Sequence, residues 1–212
     1  PLQAYEAHIP AFLRRWATEA PDRVFIAQRR GPERAWLKVT YAEAMATVDR
    51  LTQALLDLSL SEQRPVMVLS GNSIEHAMLM MAAMQARAPI ASISPAYALM
   101  SSDHAKLKFM FDLLRPGLVM VQNGPQFAKA LAALPLDGVT VVHVDGAVPG
   151  MASVPFATLA ATPATDAVAR SIAAIRPKTI GKFLFTSGST GFPKAVINTQ
   201  EMMCANVAMG KQ

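Results

Sequence analysis

The amino-acid sequence predicts an α/β fold in which a largely parallel sheet is flanked by helices. Short apolar runs typical of buried strands alternate with longer segments of helical periodicity, at a spacing that suits right-handed crossovers. In addition, apolar residues make up 52% of the 212 residues and charged residues only 17%, so helices and strands should be buried on several sides. The same composition is also compatible with an apolar surface left for a partner.

Signals for individual helices and strands follow one another in the order that this fold requires. Residues 10–19 are predicted to form an amphipathic helix that ends before Pro21, because the ring of a proline disfavours helix in the residue before it. Strands are predicted at 24–27, 36–39, 66–69, 89–93, 118–121, 139–144, 183–185 and 195–197. Further helices are predicted at 41–58, 74–86, 104–114 and 126–134, and from Gln200 onward.

Local patterns refine this assignment. Thr40 and Glu43 have the spacing of a capping box, in which Thr40 caps the helix and Glu43 reaches back to its amide. Residues 94–102 are predicted to be a loop that Ser94 and Pro95 open. Residues 146–163 are predicted to be a surface connection, because they contain alanine and proline without a clear period.

Composition and charge narrow the classes of function. No segment has the roughly 18 consecutive apolar residues that a membrane-spanning helix needs, so no membrane span is predicted. The 20 basic residues exceed the 15 acidic ones and give a net charge of +5. Because the basic residues are not interleaved with aromatic residues along one face, we expect no nucleic-acid partner. Small anions such as ATP or CoA account for the surplus equally well.

Cysteine and histidine usage indicates neither disulfide nor metal chemistry. Cys204 is alone, which excludes a disulfide framework, indicates a cytoplasmic location and favours a small core residue over a nucleophile. The four histidines have no metal-ligand spacing, and no metal ligand is predicted. His76 lies in an apolar helix, where hydrogen-bonded packing is more common than catalysis, and the Met-rich segment 78–84 is interpreted as core.

The strongest chemical signal is a loop that follows the predicted strand at 183–185. Two glycines allow a sharp turn and a close approach of the backbone to a ligand, and their amides can hold an anion. Four hydroxyl groups add donors, and a lysine adds a charge that suits phosphate. A Ser/Gly-rich hairpin without a ligand is the simpler alternative, but the anchoring strand, the four hydroxyls and the terminal lysine favour a phosphate loop. The loop is Thr186-Ser187-Gly188-Ser189-Thr190-Gly191-Phe192-Pro193-Lys194.

Other nucleotide and catalytic loops are excluded by their spacing. This is not a Walker A loop, because Pro193 stands five positions after Gly188, and Ala195 replaces the Ser or Thr that would hold magnesium. The chain contains no G-x-S-x-G nucleophile elbow. No G-x-G-x-x-G follows a predicted strand either, which removes the dinucleotide-binding interpretation.

At these residues the chain resembles the adenylate-forming superfamily of acyl-CoA synthetases, luciferases and peptide-synthetase adenylation domains. The phosphate loop of that family has the pattern T-S-G-S-T-G-x-P-K, which residues 186–194 match at every specified position. Residues 39–43 are similar to the early TY-x-E helix start of the family, and residues 72–75 to its N-S-x-E turn. The resemblance therefore covers almost the whole chain.

The resemblance implies an ATP-dependent enzyme that works in two half-reactions. A carboxylate attacks the α-phosphate of Mg-ATP to give an acyl-adenylate and pyrophosphate, and a thiol, usually that of CoA, then displaces AMP. The cofactors implied are ATP, Mg²⁺ and CoA. The residues implied to bind the ATP phosphates are Thr186, Ser187, Gly188, Ser189, Thr190, Gly191 and Lys194.

The resemblance also sets an expectation for the extent of the chain. Family members continue for several hundred residues, which carry the adenine, ribose, hinge and catalytic-lysine motifs. Residues 1–212 are therefore expected to be the N-terminal portion of the AMP-binding domain, the large domain of an acyl-CoA synthetase, without the small C-terminal domain. We expect this portion to contain no catalytic residue and to be inactive alone.

Departures from the family pattern indicate a subfamily. Ala195 follows the loop lysine where most members have glycine, and Gln200 stands where many have a histidine near the acyl pocket. Together with residues 94–99 and 103–107, these residues are similar to feruloyl-CoA synthetases, which act in phenylpropanoid degradation. The expected substrate is a small aromatic carboxylate of the hydroxycinnamic class, such as ferulate. Gln200 is expected near the mouth of its pocket.

Two other interpretations stay open. The chain could belong to a binding-only nucleotide module, which ATP binding without turnover would indicate. It could also belong to an enzyme that passes its adenylate to a carrier protein instead of CoA, which a carrier domain encoded further along the gene would indicate.

Overall fold

The computed structural model describes residues 4–186 and 191–210 of the chain. Its helices are α1 (Ile9–Glu19), α2 (Tyr41–Asp57), α3 (Ile74–Ala86), α4 (Ala96–Leu99), α5 (Ala105–Leu114), α6 (Gly124–Ala132), α7 (Phe156–Ala160), α8 (Asp166–Ala173) and α9 (Gln200–Met209). Its strands are β1 (Val24–Arg30), β2 (Ala35–Thr40), β3 (Val66–Leu69), β4 (Ile90–Ile93), β5 (Leu118–Asn123), β6 (Thr140–Asp145), β7 (Val154–Pro155), β8 (Ile180–Thr186) and β9 (Lys194–Thr199).

Seven strands of the described residues form one sheet in the order β7-β6-β5-β3-β4-β8-β9. Neighbouring strands are parallel except for β9, which pairs antiparallel with β8. Strands β1 and β2 form a separate antiparallel hairpin. The prediction of an α/β fold with a largely parallel sheet is confirmed, and helices cover both faces as parallel sheets require.

The two faces of the sheet bury different side chains of the same strands. In β3, Val66 and Val68 point toward a core cluster that also contains side chains of α1, α2, α3 and α7. Met67 and Leu69 point to the opposite cluster, formed with α4, α5 and α6. This alternation follows from the two-residue period of a strand. Because all four side chains are buried, β3 appears in the sequence as an unbroken apolar run.

Helix starts are where the sequence signals place them. Thr40 Oγ1 accepts a hydrogen bond from the backbone N–H of Glu43, and Glu43 Oε2 accepts one from the backbone N–H of Thr40. The predicted capping box is therefore confirmed at the start of α2. The predicted bounds of β3 and α3 agree with the structure residue for residue.

The prediction that residues 146–163 are only a surface connection is wrong. Strand β7 pairs with β6 at the sheet edge, and α7 buries Phe156 and Leu159 in the cluster that contains α2 and α3. An apolar pair three residues apart in a five-residue helix is too short a pattern to recognise, and only contact with the rest of the fold makes it core. Helices α4 and α8 were likewise not predicted.

The apolar side chains fall into two groups, one deeply buried and one exposed to solvent. Two core clusters account for most of the buried ones, while β8, β9 and α9 leave a group of apolar side chains exposed to solvent. Deep burial and bare apolar area are therefore both observed in the described part of the chain, and a partner for the bare area stays a prediction. Those exposed side chains are Leu184, Val196, Ile197, Met202, Val207 and Met209. Within residues 4–186 and 191–210, no helix is long and apolar enough to cross a membrane.

Candidate functional site

The ends of the predicted phosphate loop are held by the β8–β9 ladder. Thr186 is the last residue of β8, Lys194 is the first residue of β9, and the two are partners in the antiparallel register. Because β8 runs parallel to β4, Thr186 lies at the edge where the parallel strands end. In open α/β sheets, ligands bind outside this carboxyl edge. The fold thus places both ends of the loop where a ligand site is expected.

The described part of the loop consists of Thr186 and residues 191–194. Gly191 has φ +106°, a conformation that strains any residue with a Cβ, so glycine is required at this turn. Pro193 is buried, whereas Thr186 and Lys194 are exposed. Ser187, Gly188, Ser189 and Thr190 lie outside the described residues, and their contacts with phosphate stay predictions.

The ammonium of Lys194 is available to an anion. No carboxylate of the described residues forms an ion pair with it, and its side chain is exposed. A lysine in this state is a point charge that an incoming phosphate can reach without breaking an existing pair. For Mg²⁺, by contrast, the described part of the chain offers no cluster of three or more His, Cys, Asp or Glu side chains.

Sequence reasoning missed one contact of the loop. The ring of Phe192 packs on the ring of Phe109 in α5, with 4.8 Å between centroids and 40° between ring planes. The available signal was the position of Phe109, which lies on the side of α5 opposite its buried residues. An amphipathic helix would normally carry a polar residue there.

Gln200 lies away from the described ends of the loop. It follows the last residue of β9, so at the rise of a strand it stands about 20 Å along the chain from Lys194. Its side chain has 0% exposure, and its Oε1 accepts a hydrogen bond of 2.9 Å from the backbone N–H of Ile9. A Cβ at Gly181 would come within 2.9 Å of Gln200 Nε2, so the glycine makes room for the amide. Contact between Gln200 and a substrate stays a prediction.

The remaining candidate residues pack into the fold. His76 is buried, with 3.1 Å between Nδ1 and the Gly71 carbonyl oxygen and 2.7 Å between Nε2 and Ser92 Oγ, which confirms hydrogen-bonded packing. Cys204 is fully buried, and this burial raises the pKa of its thiol to about 11. The thiol is therefore protonated near neutral pH, and the prediction of a core residue is confirmed.

Comparisons with known proteins agree with the fold and identify the family. A family model described as AMP-binding enzyme matches residues 13–211. The phosphinothricin tripeptide synthetase PhsB of Streptomyces viridochromogenes is 28% identical over 207 residues, which are 95% of this chain and 15% of that protein.

Two solved structures extend the comparison. A natural red-emitting luciferase from Phrixothrix hirtus superposes with a TM-score of 0.76 at 16% identity, over 100% of this chain and 40% of the luciferase. McyG A-PCP complexed with phenylalanyl-adenylate superposes with a TM-score of 0.72 at 17% identity, over 100% of this chain and 36% of McyG A-PCP. At these identities the two structures show a shared fold. The chain spans less than half the length of each of the three relatives.

Proposed function

This chain belongs to the AMP-binding enzyme family, and on that premise we propose that it serves the ATP-dependent activation of a carboxylic acid to an acyl-adenylate. The observation that carries the proposal is the loop of residues 186–194. It has the sequence of a phosphate loop, and its ends, Thr186 and Lys194, stand at the carboxyl edge of the sheet. The role of this chain is to bind the phosphates of ATP.

Adenylation requires the protein to stabilise charge, and the protein itself forms no covalent bond in this step. A carboxylate oxygen attacks the α-phosphorus, the bond from that phosphorus to the oxygen bridging it to the β-phosphate breaks, and pyrophosphate leaves with the electron pair. Negative charge grows on the leaving group, and the ammonium of Lys194 offsets it. Thr186 and the backbone at Gly191 position the phosphates beside that charge. Mg²⁺ carried by ATP would supply further positive charge.

The substrate that we propose is a hydroxycinnamic acid such as ferulate, with CoA as the acceptor. The support is the likeness of residues 94–99, 103–107 and 194–200 to feruloyl-CoA synthetases. In this proposal Gln200 lies near the acyl pocket, where an amide keeps its hydrogen-bonding capacity across the working pH range. An imidazole at that position would titrate near neutrality.

A second candidate is transfer of the adenylate to a carrier protein. The observation that favours it is the 28% identity with PhsB, which is described as a tripeptide synthetase. Both candidates share the adenylation step and differ only in the thiol that accepts the acyl group. The first experiment therefore tests adenylation, and the second tests the acid and the acceptor.

Adenylation is tested by ATP–pyrophosphate exchange in the protein expressed from its complete gene. Each charge-assisted contact of Lys194 with phosphate is worth about 1.5–3 kcal/mol, so Lys194→Ala should slow exchange roughly ten- to a hundredfold. Thioester formation from pre-made acyl-adenylate should change far less, because pyrophosphate has already left. Lys178→Ala is the control, since Lys178 is 83% exposed, forms only an exposed ion pair with Glu201 and precedes β8 at its opposite end.

Four outcomes of these assays would each contradict a part of the proposal. ATP binding without exchange, with any acid in a panel of aromatic, aliphatic and amino acids, indicates a binding-only module. Equal losses in both half-reactions indicate a different role for Lys194. A higher kcat/KM for benzoate or a medium-chain fatty acid than for ferulate overturns the substrate but not the adenylation. If the acyl group is transferred to a purified carrier protein and not to CoA, CoA is the wrong acceptor and the carrier protein takes its place.

A further inference from the structure

Phe109 and Phe192 form an aromatic contact on the surface of the molecule. Their ring centroids are 4.8 Å apart, with 40° between the ring planes. Phe109 is 38% exposed and Phe192 is 51% exposed. Tilted aromatic pairs at this distance attract one another beyond the area that they bury. The contact joins the middle of α5 to the last part of the phosphate loop.

The packing of α5 does not require a phenylalanine at position 109. The helix buries Leu107, Met110, Phe111 and Leu114 against the sheet, and Phe109 lies on the opposite side. Phe109 belongs to neither of the two core clusters. Its ring therefore lies outside both core clusters, and its aromatic contact is with Phe192.

Phe192 stands at the point where the loop returns to the sheet. On one side is Gly191, whose φ of +106° turns the chain, and on the other is the buried Pro193, whose ring fixes its own φ. Lys194 follows and pairs with Thr186 at the end of the ladder. A packing contact on the ring of Phe192 thus restricts the backbone immediately before Lys194.

We infer that Phe109 is a positioning residue for the phosphate loop, holding Phe192 so that Lys194 leaves the sheet edge in a fixed direction. This inference rests on the proposed function for its catalytic consequence. An exposed hairpin end that must become ordered when a ligand binds loses conformational entropy, which weakens binding. A contact that orders residues 191–194 beforehand reduces that loss. The first consequence, order in the free protein, does not depend on the reaction.

Hydrogen exchange in the free protein tests the order of the loop directly. In Phe109→Ala, the backbone amides of Gly191, Phe192 and Lys194 should exchange about two- to tenfold faster than in the wild type, the range that an aromatic pair of this kind provides. Leu113→Ala is the control, because Leu113 is exposed on the same side of α5, one turn further on. It should leave these amides unchanged. Unchanged exchange in Phe109→Ala overturns the inference.

Enzyme kinetics separate positioning from mere stability. Phe109→Ala and Phe192→Ala should each raise the KM for ATP in pyrophosphate exchange about two- to tenfold, and the double variant should add little to either. Thioester formation from pre-made adenylate and the melting temperature should stay near the wild-type values. Equal losses in both half-reactions, or additive effects, overturn the inference. If the wild type exchanges no pyrophosphate, the proposed function fails, and hydrogen exchange alone decides the role of Phe109.

Discussion

Gln200 Oε1 accepts a hydrogen bond from the backbone N–H of Ile9, so the first residue of α9 caps the first residue of α1 across 191 positions of sequence. The first N–H groups of a helix have no partner within the helix. The cap is therefore a tertiary contact that satisfies one of these groups in α1. It also gives Gln200 a role in stability that is independent of any role in substrate binding.

Replacement of Gln200 by alanine separates these two roles. Because it leaves the Ile9 N–H without its hydrogen-bond acceptor, Gln200→Ala should lower the free energy of unfolding by about 1–3 kcal/mol, measured by urea denaturation. Gln126→Ala, at an exposed position of α6, should stay within about 0.5 kcal/mol. If stability falls while the preference among ferulate, benzoate and a fatty acid is unchanged, Gln200 is structural and its proposed substrate contact is wrong.

Replacement of Phe156 tests whether the segment of residues 146–163 contributes to the core. Its side chain is 8% exposed and packs in the core cluster with α2 and α3, so Phe156→Ala should cost about 3–5 kcal/mol of unfolding free energy. Thr158→Ala, on the exposed side of the same short helix, should cost about 0.5 kcal/mol or less. Similar losses in the two variants would restore the interpretation of a surface connection.

Protonation of His8 should lower the free energy of unfolding in mild acid. Its Nδ1 accepts a hydrogen bond of 3.2 Å from the backbone N–H of Ala11 and so caps α1, which requires an unprotonated nitrogen. Burial lowers the pKa of His8 below the usual 6.5, with a further lowering by Arg14 and an opposing effect of Glu6. The neutral form is favoured in the folded state. The contribution of neutral His8 to the free energy of unfolding is fully present above about pH 6.5. It is lost as the pH falls through the pKa of His8 in the folded state.

The pH dependence of His8 can be isolated by comparison with His8→Asn. Asparagine is a good N-cap that does not titrate in this range. Denaturation measured between pH 7.5 and 5 should show the wild type losing stability relative to the variant. A constant difference across that range would mean that His8 does not cap α1 through an unprotonated nitrogen.

Cys204 should lower the stability of the folded protein in alkaline solution. Burial raises the pKa of its thiol from 9.0 to about 11, so an unfolded chain ionises this group before the folded one does. The contribution to stability is present below pH 9 and is lost between about pH 9 and pH 11, on the order of 2–3 kcal/mol. Over this range the wild type should lose stability relative to Cys204→Ala. Parallel melting curves of the two proteins would contradict the raised pKa.

Sequence information was sufficient for several elements whose signal is contained within a few neighbouring residues. The apolar run of β3, the apolar helix α3 and the box of Thr40 and Glu43 could each be predicted, because periods and caps depend on contacts between residues close in the chain. The alternation of these signals was enough to predict the parallel sheet. The residue types and spacing of 186–194 likewise predicted a phosphate loop.

Tertiary structure decided what each of the less patterned residues touches. Phe156 becomes core only because β6 and α2 lie beside it, and Phe192 meets Phe109 only because β8 lies next to β4. Gln200 finds the amide of Ile9 from the other end of the chain. These contacts join residues far apart in sequence, and neither partner carries a local pattern that names the other. The sequence by itself determined the sheet and the residue pattern of 186–194, and the packing of distant segments determined what the ring of Phe192 contacts and what buries Gln200.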